Sequence, residues 1–212
     1  YTYHEEPALA WNTSAQWPLP NEKRTPLYLS SNTLSVEKPE SASNTTRQVD
    51  YEITDANFWE KGLQFQTEPL KSDMEVTGHP ALTLWISSTS RDADVIARID
   101  DVAPDGTTEY YSVEGKLRAS LRKTAEPPYN NLGLPWHPFT QESSEPLEPG
   151  APVKLEFDLY PISYLFKAGH RVRLTLNFAD ARATARENPA PEVTVYSGGD
   201  RISALTLPVI PR

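Results

Sequence analysis

Ala81-Leu82-Thr83-Leu84-Trp85-Ile86-Ser87 alternates residue by residue. A β-strand turns successive side chains to opposite faces, so Leu82, Leu84 and Ile86 share one side while Thr83, Trp85 and Ser87 share the other. The stretch therefore reads as a strand with one buried face. Val153-Lys154-Leu155-Glu156-Phe157-Asp158-Leu159 repeats the pattern, and so does Arg171-Val172-Arg173-Leu174-Thr175-Leu176-Asn177-Phe178 with Val172, Leu174, Leu176 and Phe178 inward. Val95–Ile99, Tyr110–Val113, Gly115–Leu121, Glu192–Tyr196 and Ser203–Leu207 supply further strands, and Ala103-Pro104-Asp105-Gly106-Thr107 supplies a tight turn. Pro208 and Pro211 are expected to stop the pairing.

The rest of the composition agrees with this texture. Twenty prolines and nine glycines break the apolar residues into short runs, which suits strands and turns better than helices. At 212 residues the chain fits one domain, with 1–72 as an extended arm with edge strands and 73–212 as the core of a sandwich. Eight or so strands with long cross-connections fit an all-β, double-sheet jelly-roll β-sandwich. In the arm, Leu27–Val36 reads as a hairpin turning at Ser31-Asn32, and Glu37–Thr46 reads as an exposed loop. Its aromatic residues, among them Trp11, Trp17, Phe58 and Trp59, either pack on the same chain or face a neighbouring domain.

Several chemistries are excluded. A net charge of −9 argues against nucleic acid as a partner, because neutralising phosphates requires clustered Lys and Arg. With no cysteine there is no disulfide, thiolate metal site or thiol nucleophile. No run is long enough to span a membrane as a helix. Tyr1–Glu6 has no leader character and no initiator Met, so the chain is expected to be cut from a longer protein. No serine stands in G-x-S-x-G spacing, so the nucleophile elbow of an α/β-hydrolase is missing, and neither phosphate-cradling glycine pattern occurs. His4, His79, His137 and His170 are scattered, and no metal or other cofactor is expected. Asp92, Asp94 and Asp105 depart from calcium-loop spacing and are expected to start a strand and build a turn.

The most suggestive loop lies within the irregular segment 122–152, which holds seven prolines. Pro127 to Phe139 combines rigid prolines with Tyr129, Trp136 and Phe139 and the imidazole of His137. These four residues are the candidate site, either covering a substrate pocket or domain interface or plugging the open end of the sandwich. Arg118 and Arg171 read as internal brackets for Asp94 or Asp101.

An ordered set of short motifs carries a family likeness: Pro69-Leu70-Lys71-Ser72-Asp73-Met74-Glu75-Val76-Thr77-Gly78-His79-Pro80, Asp92-Ala93-Asp94, Asp101–Gly106, Gly115–Ser120, Gly133-Leu134-Pro135-Trp136-His137, Leu159-Tyr160-Pro161, Ala168–Leu174 and Ser203–Val209. In this order they resemble the C-terminal domain of the X-Pro dipeptidyl-peptidase family, which includes cocaine-esterase-like acyl hydrolases and α-amino-acid ester hydrolases. The resemblance implies a galactose-binding-like jelly roll, itself without catalytic residues. It also implies an N-terminal α/β-hydrolase domain of the same polypeptide as partner, whose serine, aspartate and histidine lie upstream. Where many esterase-like members carry D-P-x-x-P-x-x-G-G, this chain has Val49–Thr54 followed by Asn57-Phe58-Trp59. The expected role is to pack on the catalytic domain and help shape its pocket. A carbohydrate-binding module or an oligomerisation module, with a second copy as partner, is the alternative.

Overall fold

The computed structural model describes residues 2–5, 8–180 and 184–212; Tyr1, Glu6, Pro7 and residues 181–183 lie outside it, including part of the stretch read for a leader. The described strands are β1 (Thr2–Glu5), β2 (Ala8–Trp11), β3 (Lys23–Ser30), β4 (Thr33–Ser35), β5 (Ser43–Gln48), β6 (Leu63–Gln66), β7 (Met74–Gly78), β8 (Ala81–Ser88), β9 (Asp94–Val102), β10 (Thr108–Arg118), β11 (Val153–Asp158), β12 (Ile162–Phe166), β13 (Arg171–Asn177), β14 (Glu192–Ser197) and β15 (Ala204–Ile210). One short helix, α1 (Phe58–Lys61), and two single 3-10 turns complete the regular structure among the described residues. The domain is all-β, as the alternation requires.

Period two becomes burial directly. Leu82, Leu84 and Ile86 of β8 are sealed from solvent, and so are Val95, Ala97 and Ile99 of β9, Leu155 and Phe157 of β11, and Val172, Leu174 and Leu176 of β13. All of them belong to one hydrophobic cluster. Each large side chain taken from water contributes about 1.5–3 kcal/mol, so this shared cluster is the main favourable term.

Hydrogen bonding runs continuously in the order β10-β9-β13-β6-β4-β3-β15-β7-β12-β1-β2, with β8 branching to β11, β14 and β15, and β5 pairing β14. Since β9 and β13 share a core with β8 and β11, the sheet folds back into two packed layers. The β3–β4 hairpin makes the passage between them, through a parallel bridge from Thr33 to Gln66 of β6. Ser31 takes a left-handed φ of 50° at its tip, as the turn reading requires. The Tyr164 hydroxyl of β12 ties the layers at one end by donating to Asp101 Oδ2 of β9 at 2.9 Å.

Four details differ from the sequence reading. Ser43–Thr46, read as the end of a loop, belongs to strand β5, an edge whose polar residues still pair residue for residue with β14. Tyr110–Val113 and Gly115–Leu121 merge into β10, with a register shift between Glu109 and Val113, and Ala119–Leu121 closes as a 3-10 turn. Ile162–Phe166, unassigned from sequence, is β12 and pairs β7 in the sheet interior. Pro208 does not end pairing, because β15 runs on to Ile210. On the other side of β15 the partner changes from β8 at Thr206 to β7 at Val209, and Pro208 sits opposite that joint. A missing N–H costs least where the ladder is already interrupted.

The layers approach closely at Gly115. A Cβ there would stand 2.8 Å from the Asp158 carbonyl oxygen and 2.8 Å from Leu159 Cγ. Beside it the Tyr160 N–H donates to the Glu114 carbonyl at 2.9 Å. Gly115→Ala is expected to lower the unfolding free energy by about 1–3 kcal/mol in urea titration, the range for overpacking a close contact.

Candidate functional site

The outer face of β10-β9-β13 would ordinarily be solvated and polar, but much of it is covered. Registers place Arg118 opposite Asp94, Lys116 opposite Ile96 and Glu114 opposite Arg98, and place Arg173 opposite Asp100. Opposite charges therefore face one another across strands, a pairing worth a few tenths to about 1 kcal/mol each. Arg118 Nε reaches Asp94 Oδ1 at 2.9 Å, as expected. Arg171 does not bracket Asp94 or Asp101. It donates to the Thr67 carbonyl at 2.7 Å and has Glu68 as its ion partner at 3.6 Å, while Asp101 is held by Tyr164 and by His170 Nδ1 at 2.9 Å. The reason is parity: Asp101 points inward with Ile99, whereas ion pairs form on the other face.

Arg98 is the centre of this face. Its guanidinium donates to Glu114 Oε2 at 2.6 Å and to Asp55, and its Cζ lies 4.0 Å from the centre of the Phe58 ring and 5.3 Å from that of Trp59. A buried cation on two aromatic faces is stabilised by the ring quadrupoles. α1 thus lies over the strands, with Ile53, Phe58 and Ile96 forming a small apolar cluster of their own. Beside it opens a concavity of about 130 Å³ with that cluster as floor and Arg98, Asp55 and the Lys116–Asp180 pair on its walls. Lys116 Nζ stands 3.1 Å from Asp180 Oδ2 and divides this hollow from a second one of about 280 Å³, lined by Val95, Leu117, Leu121 and Phe139.

Asp100 lies deeper. Burial raises its carboxyl to about 6, against the pull of Arg173 and, more weakly, Arg98. Arg173 Nε donates to its Oδ2, while Oδ1 is buried without a hydrogen-bond partner among the described residues.

The four residues singled out from the loop fall into two kinds. His137 is buried, with Nδ1 3.2 Å from the Lys123 carbonyl and Nε2 2.9 Å from that of Glu156. Trp136 is half-buried, and its carbonyl accepts the Ala125 N–H at 3.0 Å. His137 pins the loop to β11 through Glu156, and Trp136 ties it to its own base at Ala125. Phe139 is 60 % exposed, 5.4 Å from the His137 ring, and holds a left-handed φ of 52° that a bulky residue adopts only under constraint. The Thr140–Ser143 capping box that follows fixes it there. Tyr129 is 62 % exposed and lines neither hollow. The acidic residues hold local structure: Asp92 accepts the Ser120 N–H at 2.9 Å, and Asp105 accepts the Thr107 N–H at 2.8 Å.

Sequence reasoning missed Arg98 and Arg173, and singled out Phe58 only as an arm aromatic without its partner. The available signal was two arginines inside otherwise apolar strands, which calls for partners; the partners themselves depend on register.

The described residues thus form an all-β domain with two hollows on the outer face of β9–β10. The sequence pattern of the X-Pro dipeptidyl-peptidase C-terminal non-catalytic domain matches residues 2–206, and the chain belongs to that family. A protein of Mycobacterium tuberculosis (strain CDC 1551 / Oshkosh), whose name places it provisionally among serine esterases, is 41 % identical over 153 residues, 71 % of this chain and 24 % of its own length. The cocaine esterase of Rhodococcus sp. (strain MB1 Bresler) is 22 % identical across 95 % of this chain and 40 % of its own. Among solved structures, a CocE/NonD family hydrolase from Staphylococcus aureus superposes with a TM-score of 0.81 at 23 % identity, over 99 % of this chain and 40 % of its own. That likeness establishes the fold. This chain spans less than half the length of these relatives. Among the described residues no helix is long and apolar enough to cross a membrane.

Two outcomes are expected. Folding raises the affinity of Asp100 for its proton above the unfolded value near 3.8, so its contribution is full at acid pH and is lost as pH rises through about 6. Compared with Asp100→Asn, the wild type should lose roughly 3 kcal/mol more stability between pH 4 and 7 in denaturant titrations. His137→Ala removes the imidazole that bridges the Lys123 and Glu156 carbonyls, and hydrogen exchange at the Ala125 amide should accelerate by about tenfold or more.

Proposed function

We propose that this domain packs on an N-terminal α/β-hydrolase domain of the same polypeptide, and that the outer face of β9–β10 with the loop 127–139 helps shape that domain's substrate pocket. The observation that carries this reading is the Ile53–Phe58–Ile96 cluster, which brings an apolar floor to the outside of a charged sheet, with exposed Phe139 lining the hollow next to it. Apolar ground in a polar rim is the composition of a protein–protein contact. Phe139 and Tyr129 present rings to the neighbour, and Trp136 and His137 hold the loop that carries them. The winding of the two layers we read as a jelly roll.

In the whole protein a serine would attack an amide or ester carbonyl, with histidine moving the proton and backbone amides holding the oxyanion. The contribution of this domain is exclusion of water and orientation of substrate. Relatives named as an esterase and as Xaa-Pro dipeptidyl-peptidases support an acyl-transfer substrate, either an Xaa-Pro peptide or an acyl ester.

The test is hydrolysis of an Ala-Pro anilide, a Gly-Pro anilide and a short acyl ester by the isolated domain and by the whole protein. The isolated domain should be silent and the whole protein active. Phe139→Ser should lower kcat/KM of the whole protein by about tenfold, the effect of losing one apolar contact in an interface. Turnover by the isolated domain would sink the proposal.

A further inference from the structure

A third hollow lies on the other layer, away from the β9–β10 face. It is a groove of about 290 Å³ lined by Trp17, Glu22, Arg24, His79, Leu132 and Leu134. Three segments distant in sequence converge there: the residues leading into β3, the β7–β8 joint and the tip of the proline-rich loop. Its size suits a single small ring better than a drug-sized ligand.

The groove carries unused bonding capacity. Trp17 is 42 % exposed and its indole N–H has no partner among the described residues. His79 forms part of the wall, with its Nδ1 buried beneath the surface and Asp158 Oδ2 3.6 Å away. Arg24 spends one nitrogen, Nη1, on the His79 carbonyl at 2.6 Å and stands 3.5 Å from Glu22 Oε1; its remaining nitrogens are unpartnered among the described residues. Glu22 is largely buried and is held in place by the lack of a Cβ at Gly78, where one would meet Glu22 Oε2 at 2.9 Å.

The walls discriminate between ligand classes. A carboxylate beside the arginine disfavours phosphate, and the net charge of −9 adds to that. A peptide cannot add here as a further strand, because β3 is paired by β15 and β4, and β7 by β12 and β15. What remains is a ligand with one C–H face and a rim of hydroxyls. We propose that this groove binds a pyranose sugar, its C–H face on the Trp17 ring and its hydroxyls on Glu22 and Arg24. A carboxylate accepts two hydroxyl hydrogens while a guanidinium donates to the same oxygens, and an aromatic face takes up the apolar side of the ring.

The test is saturation-transfer NMR and titration of the intact protein with the methyl pyranosides of glucose, galactose and mannose, repeated for Trp17→Ala, the isosteric Glu22→Gln, and Trp85→Phe. At least one pyranoside should bind with saturation strongest on the protons of one ring face. Trp17→Ala and Glu22→Gln should each weaken it at least about tenfold at unchanged Tm, while Trp85→Phe leaves it intact. No binding by any of the three sugars, or binding that survives Trp17→Ala or Glu22→Gln, would overturn the assignment. The groove shares Leu132 and Leu134 with the loop 127–139, but hydrolysis by the intact protein is a separate readout, so failure of sugar binding and failure of the docking proposed above are distinguishable.

Discussion

Leu84, Leu155, Leu174 and Val172 have no exposed surface, and they come from strands that do not all pair with one another. Each layer on its own would leave such a row facing water, at a cost of a few kcal/mol per side chain. Covering one row with the other is the constraint on which the rest depends. It forces the sheet to double back, sets the passage at β3–β4–β6, and brings β10 so close to the β11–β12 corner that position 115 has no room for a Cβ. Glycine there is a consequence of layer closure rather than of turn geometry.

Closing the core by one face of β9 and β13 leaves the other face to be solved separately. Here the protein uses charge instead of alternation. Arg98, Glu114, Asp100 and Arg173 are all largely withdrawn from solvent, and each costs desolvation that only a correctly placed partner offsets. The raised carboxyl of Asp100 is the visible remainder of that cost. By stacking on Phe58 and Trp59, Arg98 also fixes α1 over the sheet, and this is what turns a flat outer face into a hollow with an apolar floor. Site and scaffold are therefore linked through one buried guanidinium.

Much of this was readable in the residues. Leu82, Leu84 and Ile86 announced their face, Asp105-Gly106 announced its turn with a left-handed φ of 87° at the glycine, and Arg118 announced a carboxylate partner on a neighbouring strand. The ordered motifs from Pro69 to Val209 were enough to name the family. The misreadings share a cause. Ser43–Gln48 is polar on both faces and is a strand only because β14 offers it an edge; Pro208 survives inside β15 only because β8 gives way to β7 beside it. Strand propensity reflects neighbours as much as residues.

In the candidate loop, residue type alone placed Tyr129, Trp136, His137 and Phe139 together, yet the structure divides them into anchors and exposed rings. Whether an aromatic or an imidazole faces inward there depends on which carbonyls of Lys123 and Glu156 lie within reach. The sequence by itself determined the strands with one apolar face, the turn chemistry, the lack of a catalytic nucleophile motif and the family, because these rest on periods of two and on contiguous residues. Only the tertiary structure decided that Asp101 meets Tyr164 and His170, that Arg98 meets Phe58, and that Trp17 meets Leu134 across a groove. Those meetings are set by register between segments tens of residues apart, and register is fixed by burial of the whole core at once.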